Sequence, residues 1–250
     1  MNEKKRLYSK LFLLCVAIFI VSLPFGFFIK NNVILSIINI ILKLISLGFI
    51  IYYSKKEKFE KFEFAKPSKY HLILLPFMLV TFSNLFVAII DKCSINSKIN
   101  YLILILDLIN ISLTAIIEEL IFRHYLYKEF ITKQTMFKSI IYTSLIFGGM
   151  HLLNINSFAS IPYCLLQSIY TFGIGLVLSI IYIFSKNIIY PIIFHFLFNF
   201  LNDSIIIHIF NIEWNLVFFI VNIIIGLLTG LYGLFVYKRY LCQEVSEYVS

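Results

Sequence analysis

One apolar stretch of the chain, residues 101–127, reads YLILILDLINISLTAIIEELIFRHYLY. It carries two adjacent acids, Glu118 and Glu119, and a basic residue, Arg123, four positions after the second acid. A helix needs about 20 mostly apolar residues to cross a bilayer, whereas a barrel strand needs only about ten residues of alternating polarity. The stretch therefore predicts a membrane-spanning helix with ionisable side chains inside the bilayer.

The composition of the whole chain supports the same environment. Of its 250 residues 60% are hydrophobic and 14% are charged, and the mean hydropathy is +0.92. A soluble domain is about 45–50% apolar and about 25% charged, and a globule of this size could not bury so many apolar side chains. The net charge of +8 is spread through the chain, without a basic groove-reading motif, so no nucleic-acid partner is expected.

Further apolar runs extend over the rest of the chain. Eight runs are candidate spans: Leu11–Ile29, Val33–Tyr53, His71–Ile90, Tyr101–Tyr127, Ser139–Leu153, Ile161–Phe184, Ile188–Ile207 and Asn215–Tyr237. They predict an all-α, polytopic membrane protein, a single transmembrane domain over residues 1–250 with about eight transmembrane helices. Most of the 21 Lys and Arg residues fall on one side if both termini are cytoplasmic, which is the orientation that the positive-inside rule predicts.

The ionisable residues of the fourth run indicate function, because each costs at least about 2.5–3.5 kcal/mol near the middle of a spanning helix. Adjacent residues of a helix point about 100° apart, so Glu118 and Glu119 face different neighbours. Glu119 and Arg123 are four residues apart and can pair along the helix. Glu118 is then free to face the interior of the bundle.

Two other runs carry a histidine in a four-residue pattern. Phe147 precedes His151 in the fifth run, and His195 precedes Asn199 in the seventh, on one helix face. Each residue alone has an ordinary explanation as a helix-packing group. In order, however, Glu-Glu-x-x-x-Arg, Phe-x-x-x-His and His-x-x-x-Asn resemble the motifs of the CPBP family. This family of intramembrane peptidases, also called Abi proteins, includes CAAX proteases and bacteriocin-processing proteins.

The resemblance assigns roles within a catalytic core over residues 101–207. Glu118 and His151 correspond to the pair that orients and deprotonates water. His195 and Asn199 correspond to the pair that stabilises the oxyanion of the tetrahedral intermediate. Three neighbours correspond to supporting residues: Glu119, Arg123 and Phe147. Peptide hydrolysis needs these two functions, a base for water and donors for the oxyanion.

Metal use stays open at this level. Glu118, His151 and His195 can bind zinc with an open fourth position, like other two-His-one-Glu hydrolase sites. The family is usually described as metalloproteases, yet the same residues with Asn199 also form a metal-free, water-activating site. The His-Glu-x-x-His pattern is absent, and we expect a metal-free site with zinc as the alternative cofactor.

The expected function is endopeptidase cleavage of membrane-associated peptides or protein tails, in bacteriocin self-immunity or peptide maturation. Its partners would be the lipid bilayer and that peptide or protein substrate. The bias towards Ile, Asn, Lys and Phe indicates an AT-rich bacterial genome, and hence a bacterial plasma membrane. The alternatives are a non-enzymatic membrane immunity protein and a small transporter. A transporter sequence more often consists of two similar halves with interrupted helices, and this sequence has no such duplication.

Three further expectations concern the depth of charged groups. Glu118 lies ten residues before Lys128, about 15 Å from the inner interface, so the site should open to the cytoplasm or laterally to lipid. Asp107 lies on nearly the same helix face but close to the outer interface, where water should solvate it. Lys43 falls within a span, and the sequence identifies no partner for it.

Overall fold

The computed structural model describes residues 3–21, 28–56, 64–66, 69–96, 99–154, 161–213 and 215–241. These residues form eight helices and no β-strand. In chain order the helices are α1 Glu3–Val21, α2 Asn32–Lys56, α3 His71–Ile90, α4 Tyr101–Ile131, α5 Met136–Leu153, α6 Ile161–Ser185, α7 Ile189–Ile209 and α8 Leu216–Tyr240. The predicted all-α bundle of about eight helices is confirmed.

Seven of these helices, α2 to α8, are long and apolar enough to cross a membrane. The first helix has only a shorter apolar segment, Tyr8–Ile18. The sequence predicted the first span at Leu11–Ile29; α1 is described from Glu3 to Val21, and residues 22–27 lie outside the described residues. Hydropathy finds the part of a helix that suits lipid and not its ends, so α1 begins earlier, in the basic segment before Leu11.

The outer surface of the bundle is apolar. On α2, the side chains of Ile41 and Leu44 are about half exposed, and on α8 Leu227 and Leu231 are more exposed still. Contiguous exposed apolar surface of this extent is unfavourable in water and normal in hydrocarbon. The chain is therefore a multi-pass membrane protein.

Helices α5 and α6 approach each other closely at two glycines. A Cβ on Gly148 would lie 2.6 Å from the backbone oxygen of Ser168, and one on Gly175 would lie 3.1 Å from Cα of Ser144. Small residues of this kind allow two membrane helices to pack backbone against backbone. A Cβ on Gly173, two residues before Gly175, would have nothing within 4 Å, so only Gly175 of this pair is needed for close packing.

Helix α7 is fixed to α3 by one buried amide. The Oδ1 atom of Asn202 accepts hydrogen bonds from the backbone N–H of Asn84, at 2.9 Å, and from Oγ of Ser83, at 3.2 Å. Its Nδ2 atom donates to the backbone oxygen of Val80 at 3.2 Å. Asn202 thus sets the position of α7, which carries His195 seven residues earlier.

Two of the spanning helices depart from regular α-helical geometry next to predicted site residues. In α4 a π-helical segment, Leu120–Tyr127, follows directly after Glu119, and in α7 another, Phe200–Ile205, follows Asn199. Wider π-turns inside α-helices occur frequently at functional sites. The positions of both π-helical segments are therefore consistent with a functional site next to Glu119 and Asn199.

Candidate active site

The centre of the site is a completely buried ion pair. Nη1 of Arg123 donates to Oε1 of Glu119 at 2.9 Å, and both side chains have no exposed surface. Nη2 of the same guanidinium donates to the backbone oxygen of Gly175 at 3.2 Å. The predicted contact between Glu119 and Arg123 is therefore present, and it also joins α4 to α6.

His195 shares the same carboxylate. Its Nδ1 atom lies 2.8 Å from Oε1 of Glu119. An ionised carboxylate only accepts hydrogen bonds, so the imidazole donates from Nδ1 and its ring is held by Glu119. The other ring nitrogen, Nε2, points towards Glu118 and lies 3.8 Å from its Oε2 atom. The two adjacent acids thus contact opposite sides of one histidine.

Phe147 packs between the charged groups. The guanidinium of Arg123 lies 4.5 Å from the centroid of the Phe147 ring, a cation–π distance. The ring centroids of His151 and His195 lie 5.5 Å and 5.7 Å from that of Phe147, both in edge-to-face geometry. Because both histidines contact one ring, α5 and α7 present them to the same region of the bundle.

His151 ends the regular part of α5, at the start of a 3₁₀ turn over His151–Asn154. Its side chain is close enough to Glu118 and to His195 to interact electrostatically with both. The structure therefore brings together three of the four predicted catalytic residues, Glu118, His151 and His195, although they are distant in the sequence.

Asn199, the fourth predicted catalytic residue, is less closely joined to the group. It lies one helical turn after His195 and is half-buried. Among the described residues, no hydrogen bond of its side chain to Glu118, Glu119 or His151 is present. Its role as a catalytic residue stays a prediction.

Glu118 is the acid that remains available for chemistry. Its side chain is 18% exposed, yet its Oε2 atom is buried and has no hydrogen-bond partner among the described residues. A buried carboxylate oxygen without a donor is costly, and such an atom in a native structure calls for an explanation. Such an oxygen keeps its capacity to accept a hydrogen bond or a proton.

The predicted zinc ligands do not form a metal site as they are placed. Within the described part of the chain, no three His, Cys, Asp or Glu side chains are grouped closely enough to hold a metal ion. His195 has the outer carboxylate contact that is usual for a metal-binding imidazole, but Glu118, His151 and His195, although near one another, are not grouped as the ligands of one ion. This arrangement does not fit zinc, and the mechanism proposed below has no metal-dependent step.

Several residues of the site could not be found from sequence motifs. The backbone oxygen of Gly175 carries no side-chain signal in the sequence. Gly148 and Gly149 cannot be distinguished in the sequence, but only Gly148 makes the close contact, since a Cβ at Gly149 would have nothing within 4 Å. Lys43 stands out in the sequence as a charge within a span, and its surroundings become visible only in the fold.

The described helices form a membrane bundle that buries the ion pair of Glu119 and Arg123 and brings His151 and His195 against the ring of Phe147. Residues 100–201 match the family model described as type II CAAX prenyl endopeptidase Rce1-like. No curated protein and no solved structure matches the chain. The match contains every predicted site residue, confirms the resemblance to the CAAX-protease group and supports intramembrane protease activity.

Proposed function

We propose that this protein is an intramembrane endopeptidase of the CPBP type. The observation that carries the proposal is the buried, unpartnered Oε2 atom of Glu118, 3.8 Å from Nε2 of His195. His151 packs against the same phenylalanine ring as His195 and is close enough to both residues to interact with them electrostatically. An acid with an unpartnered oxygen, near two imidazoles and inside a membrane, has the groups needed to activate water.

In the proposed reaction, Glu118 accepts a proton from a water molecule whose oxygen attacks the carbonyl carbon of the substrate. His151 orients this water. The attack forms a tetrahedral intermediate with a negatively charged oxygen. The C–N bond then breaks, and the proton taken by Glu118 passes to the leaving amine. General-base catalysis of this kind contributes about 10²–10⁴-fold in rate.

His195 and Asn199 supply hydrogen-bond donors to the developing oxyanion. The contact with Glu119 occupies Nδ1 of His195, so donation from Nε2 requires the doubly protonated imidazolium. Glu119 and Arg123 act through His195 as a rigid support, because every atom of both side chains is buried. Losing one preorganised donor to an oxyanion costs about 10²–10³ in rate.

The proposed substrates are membrane-associated peptides or protein tails, and the proposed location is a bacterial plasma membrane with both termini in the cytoplasm. The family description names CAAX prenyl endopeptidases. In a bacterium, bacteriocin self-immunity or peptide maturation is the proposed biological role. The lipid bilayer itself is the other partner.

The test compares peptides from membranes that contain the wild-type protein, Glu118→Gln or His195→Asn. We expect processed peptides to be depleted at least about 100-fold in both variants, at unchanged protein levels. Glu213→Gln, the same chemical change as Glu118→Gln at an exposed loop position, is the matched control and should behave like wild type. A biological phenotype that survives in both site variants would instead support a non-enzymatic immunity protein.

Metal dependence is tested on the same purified protein. We expect turnover to survive chelation, with no stoichiometric zinc by elemental analysis. Zinc bound at one ion per chain and needed for turnover would contradict the metal-free mechanism and leave the peptidase assignment intact.

A further inference from the structure

Burial along α4 changes abruptly at Glu118. All nine residues from 119 to 127 are buried, including the charged side chains of Glu119 and Arg123. The earlier part of the helix, from Tyr101 to Glu118, contains only a few buried residues. Packed side chains therefore surround α4 from Glu119 to Tyr127 and leave no exposed surface that leads to Glu118 from that side.

The open part of α4 carries a stripe of polar residues. Asp107, Asn110, Thr114 and Glu118 follow one another at spacings of three, four and four residues, which places them on one face of the helix. The side chains at the two ends are partly exposed, Asp107 at 26% and Glu118 at 18%, whereas Asn110 between them is buried. We call these four residues the polar stripe; it runs from Asp107, six residues after the start of α4, to the candidate active site.

Lys43 of α2 lies against the middle of the polar stripe. Its Nζ atom donates to Oδ1 of Asn110 at 3.1 Å and to the backbone oxygen of Asn110 at 3.3 Å. The ammonium also interacts electrostatically with Glu118 on one side and with Asp107 on the other. The lysine that lacked a partner in the sequence thus lies between the two acids of the stripe.

The outer end of the stripe is polar as well. Oγ of Ser204 donates to Oδ2 of Asp107 at 3.3 Å, and Nε2 of His208 lies 4.0 Å from the same oxygen. Nδ1 of His208 donates to the backbone oxygen of Ser204 at 2.7 Å, and the imidazole is about one quarter exposed. Two residues of α7 therefore extend the polar surface at the end of α4.

Partly exposed charges within a membrane protein face water or other polar groups, because contact with hydrocarbon is costly. Hydrolysis also consumes a water molecule at Glu118, deep in the bundle. We propose that this water reaches Glu118 along the polar stripe, from the membrane face at which α4 begins. This proposal rests on the proposed function and reverses the expectation, based on depth alone, that the site opens to the cytoplasm or to lipid.

The test measures how fast a small, charged, membrane-impermeant thiol reagent labels Thr114→Cys in sealed vesicles. Cys15, Cys93, Cys164 and Cys242 are replaced in this protein. The matched control is Ile109→Cys on the opposite side of the same helix, where the native side chain is 42% exposed but has no polar neighbour in the stripe. A protein that retains only Cys93, in the loop between α3 and α4, identifies the membrane face.

We expect the reagent to label Thr114→Cys at least about tenfold faster than Ile109→Cys, and only from the face at which it labels Cys93. Ile111→Cys, about 40° from Asp107 on the same face, provides a second position if Thr114→Cys folds poorly. Labelling only from the opposite face, or no faster than Ile109→Cys at both positions, would overturn the proposal. The measurement does not need catalysis, so its failure is distinguishable from failure of the peptidase assignment.

Discussion

The two parts of α4 on either side of Glu118 have opposite environments although they belong to one continuous helix. The part from Glu119 to Tyr127 is largely π-helical, completely buried and joined to α6 and α7 by charged hydrogen bonds. The part before it is regular, partly exposed and polar along one face. Two adjacent glutamates consequently have different environments: Glu119 is paired with Arg123 and His195, whereas Oε2 of Glu118, the residue that we propose as the base, has no hydrogen-bond partner among the described residues.

The largest change in stability is expected when the buried acid, Glu119, is neutralised. Glu119→Gln removes the charge that pairs with Arg123 and holds His195, and losing one partner of a buried ion pair costs about 3–5 kcal/mol. For a protein of this size we expect the apparent Tm in detergent to fall by roughly 6–20 °C. Thermal unfolding followed by circular dichroism measures the change.

Glu118→Gln makes the same chemical change one residue earlier and is the internal control. Its Oε2 atom has no hydrogen-bond partner among the described residues, so its Tm should stay close to that of the wild type while turnover is lost. Equal destabilisation by the two substitutions would show that the adjacent acids are not divided between scaffold and chemistry.

A medium effect is expected from the glycines that bring α6 to Arg123. In Gly148→Ala the new methyl group would lie 2.6 Å from the Ser168 backbone oxygen, so the two helices must separate. Overpacking of this kind costs about 1–3 kcal/mol, and we expect a Tm lowered by several degrees together with reduced turnover.

Gly149→Ala tests the same change in helix propensity without the contact, since nothing lies within 4 Å of the added atom. Alanine favours a helix over glycine by about 1 kcal/mol, so this variant should be as stable as the wild type or more stable. Similar losses in both alanine variants would contradict the close α5–α6 contact as their cause.

A small change in stability is expected at Lys43, which contacts the part of α4 before Glu118. Lys43→Met loses two hydrogen bonds to Asn110 but also removes a charge whose cost within a membrane is about 2.5–3.5 kcal/mol. Because these two contributions to the free energy of unfolding offset each other, we expect a Tm within a few degrees of wild type. We expect turnover to fall several-fold, because the positive charge that interacts with Glu118 is lost.

Lys43→Arg keeps the positive charge and its hydrogen-bond donors, and should recover most of that turnover at an unchanged KM. A large loss of Tm in Lys43→Met, with no recovery by arginine, would show that the lysine is only a packing element. Paired measurements of kcat, KM and Tm on the three proteins separate these outcomes.

Sequence reasoning identified the class of protein because its signals are local. An apolar run is long enough to span lipid whatever surrounds it, and the four-residue spacing of Glu119 and Arg123 already places them in contact. The order of the motifs containing Glu118, His151 and His195 then indicated the family. The start of α1 was predicted less well, since polar residues continue a helix without any hydropathy signal.

The amino-acid sequence by itself determined a helical membrane bundle and the residue types available for hydrolysis, because both follow from local hydrophobicity and spacing. Only the tertiary structure decided which of these residues contact one another. His195 meets Glu119 across 76 residues of chain, and Lys43 meets Asn110 across 67. Such contacts depend on how whole helices rotate and pack against one another, so neighbouring residues as alike as Glu118 and Glu119 acquire different environments only when the bundle is assembled.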